Sequence, residues 1–157
     1  RIWNRNKFTS STSSLAICYT GSVYQKMSVT LYHHTSYEGV NGILNDGLIR
    51  QTMDGGPDAV YGTGVYLTSL GPGISEQEVA INNFDNAASV MLQEGKGKII
   101  LQVEVSSSNV RKADDVRDIY IHSGDIPKEQ IKAMYRRNRQ GTAVTCSIQA
   151  QQNYQSW

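Results

Sequence analysis

The sequence predicts an α+β fold, a mostly antiparallel β-sheet core with short flanking helices. Three observations carry this reading. Leu101, Val103 and Val105 alternate with Gln102 and Glu104, the period of a strand with one face turned inward. Ser75-Glu76-Gln77-Glu78 has capping-box spacing and leads into Ala80, Phe84, Ala87, Ala88 and Met91 at helical spacing. The strand-like segments are not each followed by a long helix, which disfavours a doubly wound parallel sheet. With 157 residues the chain fits one domain, long enough to bury a core without metal or disulfide staples.

Taken in order, residues 9 to 14 form a polar run of Ser and Thr, and residues 1–27 are expected to be an N-terminal arm ahead of a domain at 28–157. Ser28 to His33 reads as a strand around Val29 and Leu31. Thr35-Ser36-Tyr37-Glu38 then has the spacing of a second capping box, opening a short helix with Val40, Ile43 and Leu44 as its stripe. Asn45-Asp46-Gly47 supplies its stop before Leu48-Ile49. Gly, Pro and Asp rule out regular structure over 51–63, and Gly64 to Ser69 resumes as a strand. The helix opened by Ser75 should run to a terminator at Gly95, and Lys98 to Ser106 should be a half-exposed strand. Ile119 to His122 is a further strand, Pro127 is placed to open a helical turn through Tyr135, and Val144 to Ile148 alternates as the last strand.

Composition narrows the classes of function. Lys and Arg number 15 against 14 Asp and Glu, so a formal charge of +1 gives no broad attraction to nucleic acid or membrane. No apolar run approaches the roughly 20 residues of a membrane span, and Arg1 to Lys7 lack a leader's apolar stretch. A start at Arg1 is expected of a mature form or of a domain cut from a longer chain. Abundant Ser, Thr, Asn, Gln, Gly and Tyr make a composition common in secreted proteins. Cys18 and Cys146 would form either one disulfide between terminal strands or two buried thiols. No CxxC or Cys/His cluster has zinc spacing, so no metal is expected.

Two segments stand out together: Leu31-Tyr32-His33-His34-Thr35, where a strand enters a helix, and Tyr61-Gly62-Thr63-Gly64-Val65-Tyr66-Leu67-Thr68. Their order, with Ile43-Leu44-Asn45-Asp46-Gly47-Leu48-Ile49 between them, resembles the ADP-ribosyltransferase superfamily in its His-Tyr-Asp/Glu branch, and within it the toxin-like His-Tyr-Asp families. The resemblance runs from about Thr30 to Ile131. It implies a split sheet, NAD as substrate and no metal. It also implies a protein acceptor for ADP-ribose, and for a toxin an immunity or inhibitor partner.

Residue by residue, the resemblance makes His33 the histidine that holds a ribose hydroxyl and the nicotinamide end of NAD. His34 stands where many relatives have a glycine that offers its backbone to the nicotinamide amide, and Thr35 follows it in the motif. Tyr66 is the tyrosine whose ring packs on nicotinamide. Gly62 and Gly64 would let the chain come close to the dinucleotide. Asp118 is the acid that steadies the positive charge built up as nicotinamide leaves, with Asp125 as alternative and Asp115 third. Where many relatives carry a second aromatic, this chain has Gln77, with Phe84 as a substitute or a core residue.

The plain structural readings stand beside these. His33 taken singly is a satisfied histidine at a strand end, Tyr66 a core aromatic, and Asp118 half of a solvated pair with Arg117. His122 reads as structural. Arg136, Arg137 and Arg139 read as a solvated helix end, with contact to NAD phosphates as the alternative. Functions to be separated are ADP-ribosylation of a macromolecule by an effector or toxin, modification of a small molecule as in the rifamycin-modifying transferases, NAD hydrolysis, and a non-catalytic binding module of the same fold.

Overall fold

The computed structural model of the chain describes residues 27–55 and 59–147. Its strands are β1 (Ser28–Thr35), β2 (Leu48–Ile49), β3 (Val65–Leu67), β4 (Ile99–Ser106), β5 (Val110–Lys112), β6 (Tyr120–His122), β7 (Ile126–Pro127), β8 (Ile131–Arg137) and β9 (Ala143–Cys146). The helices are α1 (Tyr37–Asp46), α2 (Glu76–Phe84) and α3 (Ala88–Gln93). Every strand pairing among the described residues is antiparallel, so the fold is the α+β class expected. Four strands form the larger sheet in the order β1-β4-β8-β9, three form a second as β3-β6-β5, and β2 pairs with β7.

Among the described residues the two larger sheets share main-chain hydrogen bonds at one bridge. Tyr32 of β1 exchanges two main-chain hydrogen bonds with Thr68, just past β3, at 2.8 and 3.0 Å. That is an isolated bridge and not a ladder, so beyond it β1 and β3 belong to separate sheets. The other edge of β1 is paired with β4 along all eight residues, His33 opposite Leu101 and His34 opposite Ile100. The core forms between the sheets and α1, from Leu31, Val40, Ile43, Ile49, Val65, Leu67, Leu101, Val103, Ile126 and Met134 among others. Truncating a Leu, Ile or Met of this set to Ala would cost about 2 to 5 kcal/mol.

Local chemistry accounts for the short elements. Helix α1 ends on Gly47, whose φ of 73° is open to glycine and whose N–H returns to the Ile43 carbonyl at 2.9 Å. Helix α2 opens on the expected capping box, with the Ser75 hydroxyl accepting from the Glu78 N–H and the Glu78 carboxylate accepting from the Ser75 N–H. Gly64 is forced by packing: a Cβ there would stand 2.3 Å from the Ile121 methyl and 2.7 Å from the His122 carbonyl.

Five sequence expectations are corrected. The cap of α1 is Ser36, whose hydroxyl accepts from Gly39 N–H at 3.1 Å; Thr35 remains in β1 and lies where a Cβ on Gly39 would stand. The long helix expected from Ser75 to Gly95 breaks at Asp85, at φ 48°, and continues through a 3-10 turn into α3. Strand β4 is not half-exposed: Ile99, Ile100 and Leu101 are buried in succession, because β4 is flanked by β1 and β8. No helical turn runs from Pro127 to Tyr135. A single 3-10 turn at Lys128–Gln130 leads into β8, whose pairing with β4 outweighs local helix signals. Arg137 lies on β8 and is buried, not at a solvated helix end. Residues 9 to 14, Cys18 and Ile148 lie outside the described residues.

Candidate active site

Strand period two puts His33 on the face of Leu31 and turns His34 to the opposite face. The His33 ring donates from Nδ1 to the Tyr66 carbonyl at 3.1 Å. That bond leaves Nε2 with its lone pair, an acceptor for a hydroxyl. Burial pushes the His33 pKa below its ordinary value and the bond to the carbonyl only partly opposes it, so the ring is neutral at pH 7. His34 is buried, and its Nε2 donates to the Leu70 carbonyl at 2.8 Å. Its Nδ1 has no partner among the described residues, and burial takes its pKa down to about 4 despite that bond.

The main chain of His34 is placed differently. Alternate residues of a strand direct their N–H and C=O to the same edge, and the neighbour two residues back, Tyr32, spends its pair on Thr68. His34 therefore turns its main-chain groups to the edge where, among the described residues, β1 has no strand beside it. The bulky side chain does not block that edge, because it is packed toward Leu70.

Tyr66 is half-buried, and its hydroxyl accepts from the Tyr61 N–H at 2.8 Å and donates to the Gly62 carbonyl at 2.9 Å. The ring closes the glycine-rich loop on itself and meets the Tyr61 ring at 6.4 Å. Gly62 has φ 89°, so turn geometry demands it, as the packing of β6 demands Gly64.

Asp118 lies just ahead of β6. Its Oδ2 accepts from the Thr68 hydroxyl at 2.7 Å and from the Ser69 N–H at 2.6 Å. Burial pushes its carboxyl up, but bonds from Thr68, Ser69 and the Tyr120 hydroxyl outweigh this and hold it below its ordinary value. The acid is thus anchored two and three residues past Tyr66, at the residue bridged to Tyr32. Its expected pairing with Arg117 is replaced: Arg117 binds Asp114 at 3.0 Å and stacks over the Tyr61 ring at 5.3 Å. Asp114 also takes the Tyr61 hydroxyl, which with the amides of Arg117 and Val116 holds it below the ordinary carboxylate range.

The other candidates lie apart. Asp125 accepts from the Gln51 N–H at 2.8 Å, bracing the segment after β2. Asp115 and Gln77 are exposed, Phe84 is half-buried, and His122 is buried with Nδ1 donating to the Gly124 carbonyl. Sequence reasoning missed Thr68, Asn82 and the Tyr61–Asp114–Arg117 cluster. Only Asn82 left a trace, an amide inside a helix on the side of buried Val79. An open groove of about 620 Å³ runs between α2 and the 114–117 loop, with Asn82 and Arg117, both adjoining Asp118, and the exposed Ile81 and Val116 among its walls; His33, Tyr66 and Asp118 do not line it.

No helix among the described residues is long and apolar enough to cross a membrane. No curated protein and no solved structure matches the chain. A toxin-family signature does, over residues 31–131, more than half of the chain and the whole stretch that carries His33, Tyr66 and Asp118. The chain belongs to the family described as HYD1 signature containing ADP-ribosyltransferase.

Proposed function

We propose that the protein transfers a single ADP-ribose from NAD to a protein acceptor, acting as a toxin or effector, with His33, Tyr66 and Asp118 as its triad. The observation that carries this is the split beyond the Tyr32–Thr68 bridge, where a neutral imidazole, an open main-chain edge and an anchored carboxylate come from adjacent strands. The His33 Nε2 accepts from a ribose hydroxyl. His34 offers its N–H and C=O to the nicotinamide amide, which supports an enzyme over a degenerate module, and Thr35 follows it on the same strand to complete the NAD-binding motif. The Tyr66 ring packs on nicotinamide, and Gly62 and Gly64 keep the facing loop close to the dinucleotide.

The bond between the ribose anomeric carbon and the nicotinamide nitrogen breaks, and its electron pair leaves with nicotinamide. The acceptor's nucleophile bonds to the same carbon and releases its proton to solvent. Asp118 opposes the positive charge on the sugar and accepts a ribose hydroxyl in exchange for one of the side-chain hydroxyls of Thr68, Ser69 or Tyr120 that now bond it. Preorganisation of this kind suffices because nicotinamide is a good leaving group. A protein acceptor is supported by the groove beside Asp118, whose exposed Ile81 and Val116 suit contact with a macromolecule. An immunity or inhibitor protein covering that groove would be the matching partner.

The test is nicotinamide release from NAD with transfer of label resolved into protein, nucleic-acid and small-molecule fractions. Asp118→Asn should lower turnover about a hundredfold or more with NAD affinity nearly kept. Asp125→Ala should keep turnover and lose about 1 kcal/mol of stability with its bond to Gln51. Turnover lost at Asp125 and kept at Asp118 would move the acid to Asp125; label confined to small molecules would replace the protein acceptor.

A further inference from the structure

Asn82 sits in α2 three residues after the buried Val79, on the same helix face. Asparagine is a poor residue for a helix interior because its amide competes for nearby backbone groups. Here the amide reaches across to another segment. The Asp118 N–H donates to Asn82 Oδ1 at 2.8 Å, and Asn82 Nδ2 donates to the Asp118 carbonyl at 3.1 Å. The two bonds have opposite polarity, so they fix which end of the amide is which. Nδ2 also donates to Asn83 Oδ1 at 2.9 Å and lies 3.5 Å from the Thr68 hydroxyl, the group that binds the Asp118 carboxylate.

The sheet does not do this work. Both ladders of β6 end at Tyr120, opposite Leu67 and Lys112, two residues short of Asp118. Asn82 supplies the donor and acceptor that a neighbouring strand would otherwise provide. We infer that Asn82 is a positioning residue for Asp118: the α2 amide fixes the main chain from which the carboxylate is aimed, while Thr68 and Ser69 fix the carboxylate. The catalytic consequence rests on the reaction proposed above; the holding of Asp118 does not.

The experiment compares the full chain with Asn82→Ala and Asn82→Asp, the second keeping an acceptor for the Asp118 N–H if the first fails to fold. Nicotinamide release gives kcat and KM, and a carbon-detected NMR titration follows the Asp118 carboxyl. A loosened acid should lower kcat about tenfold to a hundredfold and leave KM for NAD within about threefold. The Asp118 carboxyl should titrate at higher pH in Asn82→Ala as its bonds weaken, whereas in Asn82→Asp, where the added carboxylate raises that titration by itself, kcat is the readout. An unmoved Asp118 titration with unchanged kcat, even at a lowered Tm, overturns the inference and leaves Asn82 a packing residue. A wild-type chain that releases no nicotinamide overturns the proposed reaction instead, and the titration still decides whether Asn82 holds the carboxylate.

Discussion

Tyr66 combines bonds made by its hydroxyl with a role proposed for its ring. Its hydroxyl joins Tyr61 to Gly62, and removing it forfeits two hydrogen bonds at about 1 kcal/mol each. In the proposed reaction its ring packs on the flat cationic nicotinamide. Tyr66→Phe should therefore lower Tm by several degrees with KM for NAD changed little, whereas Tyr66→Ala should raise KM about tenfold or more. Equal effects on KM would remove stacking from its role. His34 makes a different kind of statement, about pH. Its folded pKa of about 4 lies below the ordinary 6.5, so between those values the unfolded chain takes up a proton that the folded chain refuses. Its contribution is full above pH 6.5 and lost as pH falls toward 4, amounting to about 3 kcal/mol. His34→Gln should flatten the decline of Tm between pH 6.5 and 4, with His33, also held low by burial, titrating in both proteins. Parallel declines would show that His34 does not titrate in that window.

Among the elements, the interrupted helix is the most informative. Apolar spacing continues from Ala80 to Met91, yet the helix breaks at Asp85, whose φ of 48° and ψ of −117° suit glycine. The break leaves Asn82 in the last turn of α2, with its amide on Asp118. Asp85 is exposed and holds nothing that a glycine would lose in packing. Asp85→Gly should relieve strain of about 1 kcal/mol and raise Tm by about 2 to 4 °C, read by calorimetry. A lower Tm would mean that the turn is not strained.

At the scale of the whole molecule, Arg137 joins parts far apart in sequence. From β8 its guanidinium donates to the carbonyls of Gly97 at 3.2 Å, Gly141 at 3.1 Å and Ile74 at 2.7 Å. These belong to the turn before β4, the β8–β9 connection and the segment leading into α2. Arg137→Met would leave three carbonyls short of a donor and should cost about 3 kcal/mol or more, seen as a Tm fall of roughly 6 °C or more. Arg137→Lys should not restore it, since an ammonium cannot span the three directions of the fork. Rescue by Lys would reduce the role of Arg137 to its charge.

Elements whose signals are local could be read from the sequence. Period-two alternation placed β1 and β4, Ser75 and Glu78 opened α2, and Gly47 closed α1, because side-chain alternation, capping and left-handed glycine act within a few residues. The spacing around His33 and Tyr66 was legible for the same reason, and so was Asp118 as the residue before a strand. Only the tertiary structure decided what these residues touch. Strand β8 exists because β4 needs a second neighbour, Arg137 is buried because three distant carbonyls converge on it, and Asp118 is anchored by Thr68 and Asn82, 50 and 36 residues away. Hydrogen bonds across such separations leave no period and no spacing in a single chain, since their geometry arises only when the sheets have closed.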